Sequence, residues 1–233
     1  MAYGGWRFVA VFAPATLIVA GPAWSGDFGV TGAWTGVSSG PKSIYAYAGA
    51  NVSLGTIKGI DGVLARLEAG SGLYDGEDDP LGVPEYEMAV LAGYRMQFGW
   101  NAATFLIGPA YSLHDDDDRG ASIRGSEFGV KAEAELYTPV TDAIYISAFA
   151  NYSTAFDTYH ANIRAAYRIN EDVAAGPAVS VLGCETYDQV RFGAAAAIDV
   201  FNYAELGLTA GYALAEEKDE TGLYFGLNVW KSF

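Results

Sequence analysis

The sequence predicts an all-β fold: a single antiparallel, up-and-down transmembrane β-barrel of about 12 strands with both termini at the periplasmic end. Three observations lead there. Successive stretches close to the 9–11 residues that cross a bilayer at a tilt alternate apolar and polar side chains, the period of a strand. The links between them alternate between acid-rich polar segments and tight turns, as the two ends of an outer-membrane barrel do. The chain also ends on Phe233, whose parity is shared by Val229, Leu227, Phe225 and Leu223.

The segment EFGVKAEAELY (127–137) shows the logic. Its Ala, Glu, Lys and Leu favour helices. On a helix, however, Phe128, Val130, Ala132, Ala134 and Leu136 would scatter around the circumference and leave no face to bury. As a strand, all five share one face, and Lys131, Glu133 and Glu135 share the other. One face meets oil and the other water.

The same pattern recurs along the chain. In order it gives strands over 30–37, 43–54, 63–74, 87–97, 102–113, 127–137, 143–153, 159–169, 173–183, 190–200, 203–214 and 222–233. Starting from the first strand, the odd links are SSGPK, DGEDDPLGVPEYE, HDDDDRGASIRGSE, TAFDT, CETYDQ and AEEKDET. Even links are FGWN, TPVTD, NED and FN, with GTIKGIDG (55–62) as the one long exception. The odd links and their flanks carry eighteen of the 28 acidic residues but four of the thirteen Lys and Arg, so the negative charge gathers at one rim. Tyr and Trp near strand ends (Trp34, Tyr94, Tyr111, Tyr152, Tyr167 and Tyr212) suit interfacial girdles. Lys231 breaks the apolar parity of the last strand; snorkelling to the headgroups makes it tolerable there.

Before the first strand lies an address. Arg7 precedes FVAVFAPATLIVAG, an apolar run broken by Pro14, and Ala23 and Ser25 are the small residues that a signal peptidase requires. Residues 1–25 read as a signal peptide cleaved after Ser25, and 26–233 as the barrel. The apolar run is short for a membrane-spanning helix.

Composition removes other classes. A formal net charge of −15 leaves nothing to neutralise phosphates, which excludes nucleic acid as a partner. Cys184 is the only cysteine, so there is no internal disulfide and no thiol-rich metal site. A soluble lipocalin-type barrel alternates the opposite way, with apolar residues inside. The acidic alternate links and the terminal Phe favour the membrane version, with lipid and lipopolysaccharide as surroundings.

Parity then assigns the interior. Arg66, Glu68, Arg95, Lys131, Glu133, Glu135, Arg164, Arg168, Arg191, Asp199 and Glu205 form a candidate lumen charge network, six positive against five negative, with His160 beside them. Charges so nearly balanced in a narrow lumen point to a cross-linking ion network ahead of a selective pore. Tyr45, Tyr47, Tyr145, Phe149, Tyr224 and Trp230 are candidate glucan-stacking rings, with Asn51, Asn151 and Asn228 as amide partners, although rings also simply fill small barrels. About 12 strands give a lumen between a filled eight-strand barrel and an open porin.

No catalytic, cofactor-binding or metal-binding residue is assigned. A lipid hydrolase needs a Ser with a His held by Asn or Asp. His160 has Ser153, Asp157 and Asn162 near it in sequence, but its parity points it into the lumen; His114 sits beside an Asp run. DDDDRG (115–120) fails the helix–loop–helix calcium pattern, because Arg119 stands at a ligand position and Ser126 where a bidentate Glu belongs. Loose divalent binding between acidic loops and lipopolysaccharide phosphates stays open.

RGSEFGVKAEAE (124–135), NYSTAFDTYHANIRAAYRI (151–169) and GPAVSVLGCETYDQVRFG (176–193) resemble the cellulose biosynthesis protein BcsS family of Gram-negative bacteria. STAFDTY and the LG-x-E-x-YD-x-x-R arrangement are the most specific parts. The resemblance implies an envelope protein associated with cellulose production or export, with cellulose or cellulose-secretion components as partners. It implies no catalytic residues. The expectation is a structural accessory barrel; a narrow passive or glucan-conducting channel is the alternative, and a lipid hydrolase stands third.

Overall fold

The computed structural model describes residues 29–57, 61–74, 83–114, 124–215 and 221–233. The signal segment 1–25 and the acidic run 115–120 lie outside the described residues. Twelve strands follow one another: β1 (Gly29–Ser39), β2 (Ser43–Ile57), β3 (Asp61–Tyr74), β4 (Val83–Phe98), β5 (Asn101–His114), β6 (Gly125–Pro139), β7 (Ile144–Ser153), β8 (Thr158–Arg168), β9 (Val173–Cys184), β10 (Tyr187–Val200), β11 (Ala204–Ala215) and β12 (Gly222–Ser232). Each pairs antiparallel with its neighbours in the chain, and β1 pairs with β12 to close the barrel.

The strands fall where alternation puts them, with two corrections. GTIKGIDG is no long link, because β2 runs to Ile57 and β3 already begins at Asp61. β4 starts at Val83, ahead of the expected 87, and so takes Glu85 into the wall and sets Glu87 well inside the strand. The Pro and acids of VPEYE read as a loop, yet Pro84 at the start of a strand interrupts nothing there. The three longest intervals between strands, after β3, β5 and β11, all fall at the end away from the termini.

Proline marks where the ladder thins. Pro109 sits inside β5, and the β4–β5 pairing skips from Ala89↔Ala110 to Ala92↔Ile107. Pro177 does the same to β8 and β9, where pairing jumps from Arg164↔Ala178 to Tyr167↔Ala175. A proline has no N–H to donate, so each ring turns that deficit to one neighbour while the other ladder, at Pro109↔Val130 and Pro177↔Ala194, continues.

Burial fixes the two faces. On β6, Phe128 and Val130 are 82% and 49% exposed, whereas Lys131 and Glu133 are 6% and 4%. The apolar set of the other strands faces outward in the same way, with Ile107, Ile163, Phe192 and Phe225 all exposed. Tight turns close the termini end: Thr141 Oγ1 accepts from the Ile144 amide at 3.0 Å and Asn170 Oδ1 from Val173 at 2.8 Å. Phe201 and Asn202 turn through left-handed φ of 55° and 56° before β11. Lys231, on the outward face, lies 3.4 Å from the centre of the Tyr203 ring and 5.1 Å from that of Phe233. Its charge rests on ring faces at the rim, not in hydrocarbon.

Two substitutions on β6 separate the faces. Val130→Arg should cost about 2–4 kcal/mol near the bilayer midplane and cut the folded fraction on insertion into vesicles. Glu133→Gln keeps side-chain shape inside the barrel and should insert nearly as well. Folding is read from heat-modifiable gel migration, and equal effects would mean that the facing, or the fold, is wrong.

Candidate functional site in the barrel lumen

The centre of the lumen is an ion network on the wall formed by β3, β4 and β6. Arg66 Nη1 lies 2.8 Å from Glu133 Oε2, 2.7 Å from Glu135 Oε1 and 3.9 Å from Glu68. Its Nε donates to Asn51 Oδ1 at 2.9 Å. Lys131 Nζ reaches Glu87 at 2.7 Å, Glu68 at 3.0 Å and Glu133 Oε1 at 3.4 Å. Arg66 and Glu133 are buried, and a buried charge is tolerable only when paired and hydrogen-bonded.

The sequence explains how a side chain on β3 meets one on β6. Register places Leu91 and Gly93 of β4, then Leu106 and Gly108 of β5, between them. The two glycines leave the wall low there; a Cβ on Gly93 or Gly108 would collide with the backbone of the neighbouring strand. Leu64, Ala89, Leu91, Leu106 and Ala110 make a buried apolar cluster on the same inner face. The interior therefore holds an apolar patch beside the charges.

Only part of the expected charge set meets. Arg66, Glu68, Lys131, Glu133 and Glu135 come together, joined by Glu87, which the loop reading of 75–87 had left out. Arg164, Arg168 and Arg191 do not join; among the described residues none has a carboxylate within 4.0 Å, and hydroxyl, carbonyl and amide oxygens take their place. Asp199 accepts the Asn202 amide at 2.6 Å in the turn before β11, while Arg95 and Glu205 are exposed near the termini end. The interior charge is thus divided between two walls instead of cross-linked into one network.

The expected rings are all inside, and each already has company. Tyr45 donates to Glu87 Oε2 at 3.3 Å and stacks on Tyr47 at 6.4 Å. Tyr145 carries Arg164 and Arg168, Phe149 lies 5.7 Å from His160, and Arg191 sits 5.3 Å over Tyr224. Trp230 stacks on Trp34 at 5.3 Å and 17°, with the Arg66 guanidinium 4.9 Å over Trp34. Trp34 is therefore a lumen residue, not part of an interfacial girdle. Glycine makes room for these rings: a Cβ on Gly36 would fall 2.6 Å from the Tyr47 ring, and one on Gly32 2.8 Å from Trp230. At Gly36, Gly70 and Gly72 a tyrosine ring lies across bare backbone, which is one reason Gly and Tyr occur together here.

STAFDTY and the LG-x-E-x-YD-x-x-R segment lie side by side at the loop end. Tyr159 Oη donates to Asp188, Tyr152 Oη donates to Asp157, and the Glu185 amide donates to Phe156 O at 3.3 Å. A 3-10 turn, Ala155–Asp157, folds toward β5 and β6; the Phe156 amide donates to Glu127 Oε2 at 2.9 Å. Phe156 and Asp157 hold left-handed φ of 55° and 47°, and the Phe156 ring meets buried His114 edge-on at 4.7 Å. Asp157 is taken by Tyr152 on the outward side, and so does not orient His160 in the lumen.

Removing the lysine that joins three carboxylates should be costly. Lys131→Met leaves Glu87 without a cation and Glu68 and Glu133 with Arg66 alone, and should destabilise the folded barrel by about 3–5 kcal/mol. Adding Glu68→Gln should recover part of that loss. The urea midpoint of vesicle-inserted protein measures both, and a Lys131→Met midpoint equal to wild type would mean the network contributes nothing.

Comparison with solved structures returns membrane barrels. An outer membrane channel from Pseudomonas putida F1 superposes with a TM-score of 0.57 at 10% identity, covering 91% of this chain and 97% of that one. The TodX monoaromatic hydrocarbon channel gives 0.53 at 9% identity, covering 88% and 89%. The KdgM porin in complex with disordered oligogalacturonate gives 0.50 at 10% identity, covering 87% and 99%. At such identities the likeness is one of fold. Curated protein sequences give no match. The sequence profile of cellulose biosynthesis protein BcsS matches residues 33–233, from the first strand to the last residue, and the chain belongs to that family.

Proposed function

We propose that the protein is a structural accessory barrel of the outer membrane in a Gram-negative bacterium, serving cellulose production or export without chemistry of its own. Family membership supplies the link to cellulose biosynthesis. The observation that carries the accessory role is the ion network at mid-barrel, where Arg66 and Lys131 tie β3, β4 and β6 together along the lumen wall. Arg66, Lys131 and Glu133 are buried and already paired, so they brace the wall and are not displayed to a passing polymer. In this reading residues 1–25 are the export signal, cleaved after Ser25, and the termini lie in the periplasm. Lipid and lipopolysaccharide surround the outer face, and cellulose or cellulose-secretion components are the functional partners. No cofactor is involved.

The second reading, direct glucan passage, draws on the interior rings Tyr45, Tyr47, Tyr145, Phe149, Tyr224 and Trp230. Their existing contacts favour packing, because rings engaged with Glu87, arginines or each other offer little free face to a sugar.

Deletion should lower or disorganise extracellular cellulose, while the purified barrel in planar bilayers shows little steady conductance. Conductance blocked by cello-oligosaccharides together with lost cellulose would establish glucan passage and overturn the accessory role. Normal cellulose would break the pathway link. The protein should also fractionate with outer membranes after losing residues 1–25, as mass spectrometry of its N-terminus reads directly.

A further inference from the structure

Two arginines near the short-turn end of the lumen share one ring. Arg164 and Arg168, four residues apart on β8, place their guanidinium carbons 5.6 and 5.1 Å from the centre of Tyr145. Tyr145 is buried against Ala166 and Ala174, with Tyr137 packed beside it at 5.3 Å, so the platform under the charges is firm. Arg168 is held at both ends of its fork: Nη1 donates to Asp142 O at 2.7 Å and Nη2 to Tyr137 Oη at 2.6 Å. Arg164 is anchored only through Nε, which donates to Ser147 Oγ at 3.3 Å.

Like charges brought to one ring repel, and the usual remedy is a carboxylate. None of the described carboxylates supplies it. Glu135 belongs to Arg66 at 2.7 Å, Asp199 caps its own turn at 2.6 Å, and Glu205 on β11 faces the same mouth without an ion pair to either arginine. A guanidinium is a planar fork of donors that matches carboxylate and phosphate oxygens in pairs. With Nε spent, the two terminal nitrogens of Arg164 form the part of such a fork that points away from its anchor.

We propose that Arg164 and Arg168, set on Tyr145, form an oxyanion-binding site at the short-turn mouth of the lumen, for the carboxylate or phosphate group of a soluble acidic saccharide. The site stands whether or not the lumen conducts, since it needs access from one end only. It also gives the divided interior charge a use: the acidic wall of β3, β4 and β6 repels an acidic chain that the β8 wall holds.

The test uses the full-length mature barrel in neutral detergent, with trigalacturonate as the acidic probe, cellotriose as the neutral one, and isothermal calorimetry as readout. Trigalacturonate should bind, weaken with added salt and be displaced by inorganic phosphate, whereas cellotriose should bind far less. Arg164→Gln/Arg168→Gln should weaken trigalacturonate roughly tenfold or more. Arg164→Lys should keep part of the affinity, and Arg191→Gln, at the other end of the lumen, should keep all of it. Heat-modifiable migration verifies that each variant is folded. Equal binding of both sugars, no binding of trigalacturonate, or wild-type affinity in a folded double variant would overturn the site. Loss of trigalacturonate binding in phosphatidylglycerol micelles, but not in neutral detergent, would assign the oxyanion to a lipid headgroup and overturn the saccharide.

Discussion

A sheet in hydrocarbon has nowhere to put an unpaired edge. Lipid offers no hydrogen bonds, so every backbone donor and acceptor of a spanning strand must find its partner in a neighbouring strand. Pairing of β1 with β12 meets that demand, and the rest of the molecule follows from it. Once the ring is shut, each strand has one face in oil and one in a confined interior. Period-two alternation is then compulsory wherever the interior is polar. The prolines show how strict the condition is: Pro109 and Pro177 occur inside strands, but each withholds a donor from one ladder only.

Alternation made the faces and the strands legible to within a few residues, because lipid imposes it directly. It says nothing about height or azimuth. That Arg66 meets Glu133, three strands away, depends on Gly93 and Gly108 keeping the intervening wall low, a relation between strands that no single stretch displays. Glu87 escaped because the signal weakens beyond the hydrocarbon, where VPEYE is strand without being greasy. Extending the alternation of Tyr86 and Met88 backward would have found it. Leu64, Leu91 and Leu106 were invisible for the opposite reason: oil outside and a dry patch inside select the same side chains. Trp34 was misplaced because a tryptophan near a strand end suits the interface as well as the lumen.

The interior is partitioned. Carboxylates and two cations crowd β3, β4 and β6, while arginines resting on tyrosines occupy β8 and β10. An arginine over a ring keeps its charge but needs no carboxylate, and that lets one wall stay cationic at close quarters. The stretches that resemble the family carry charges of both walls, Lys131, Glu133 and Glu135 on one and Arg164, Arg168 and Arg191 on the other. Their most specific parts are the loop-end segments that Tyr159 and Asp188 join. Such contacts set how the loop between β7 and β8 lies over the mouth.

The stack of Trp34 on Trp230 links the centre of the lumen to the seam where the two ends of the chain meet. Arg66 takes its cover from Trp34 of β1, so both partners of that contact lie within the first three strands. Trp230 of β12 lies on the same indole from across the seam. Closing the ring therefore adds a second layer over the middle charge without creating the first. The seam is fastened inside the lumen by a pair of indoles as well as along its ladder.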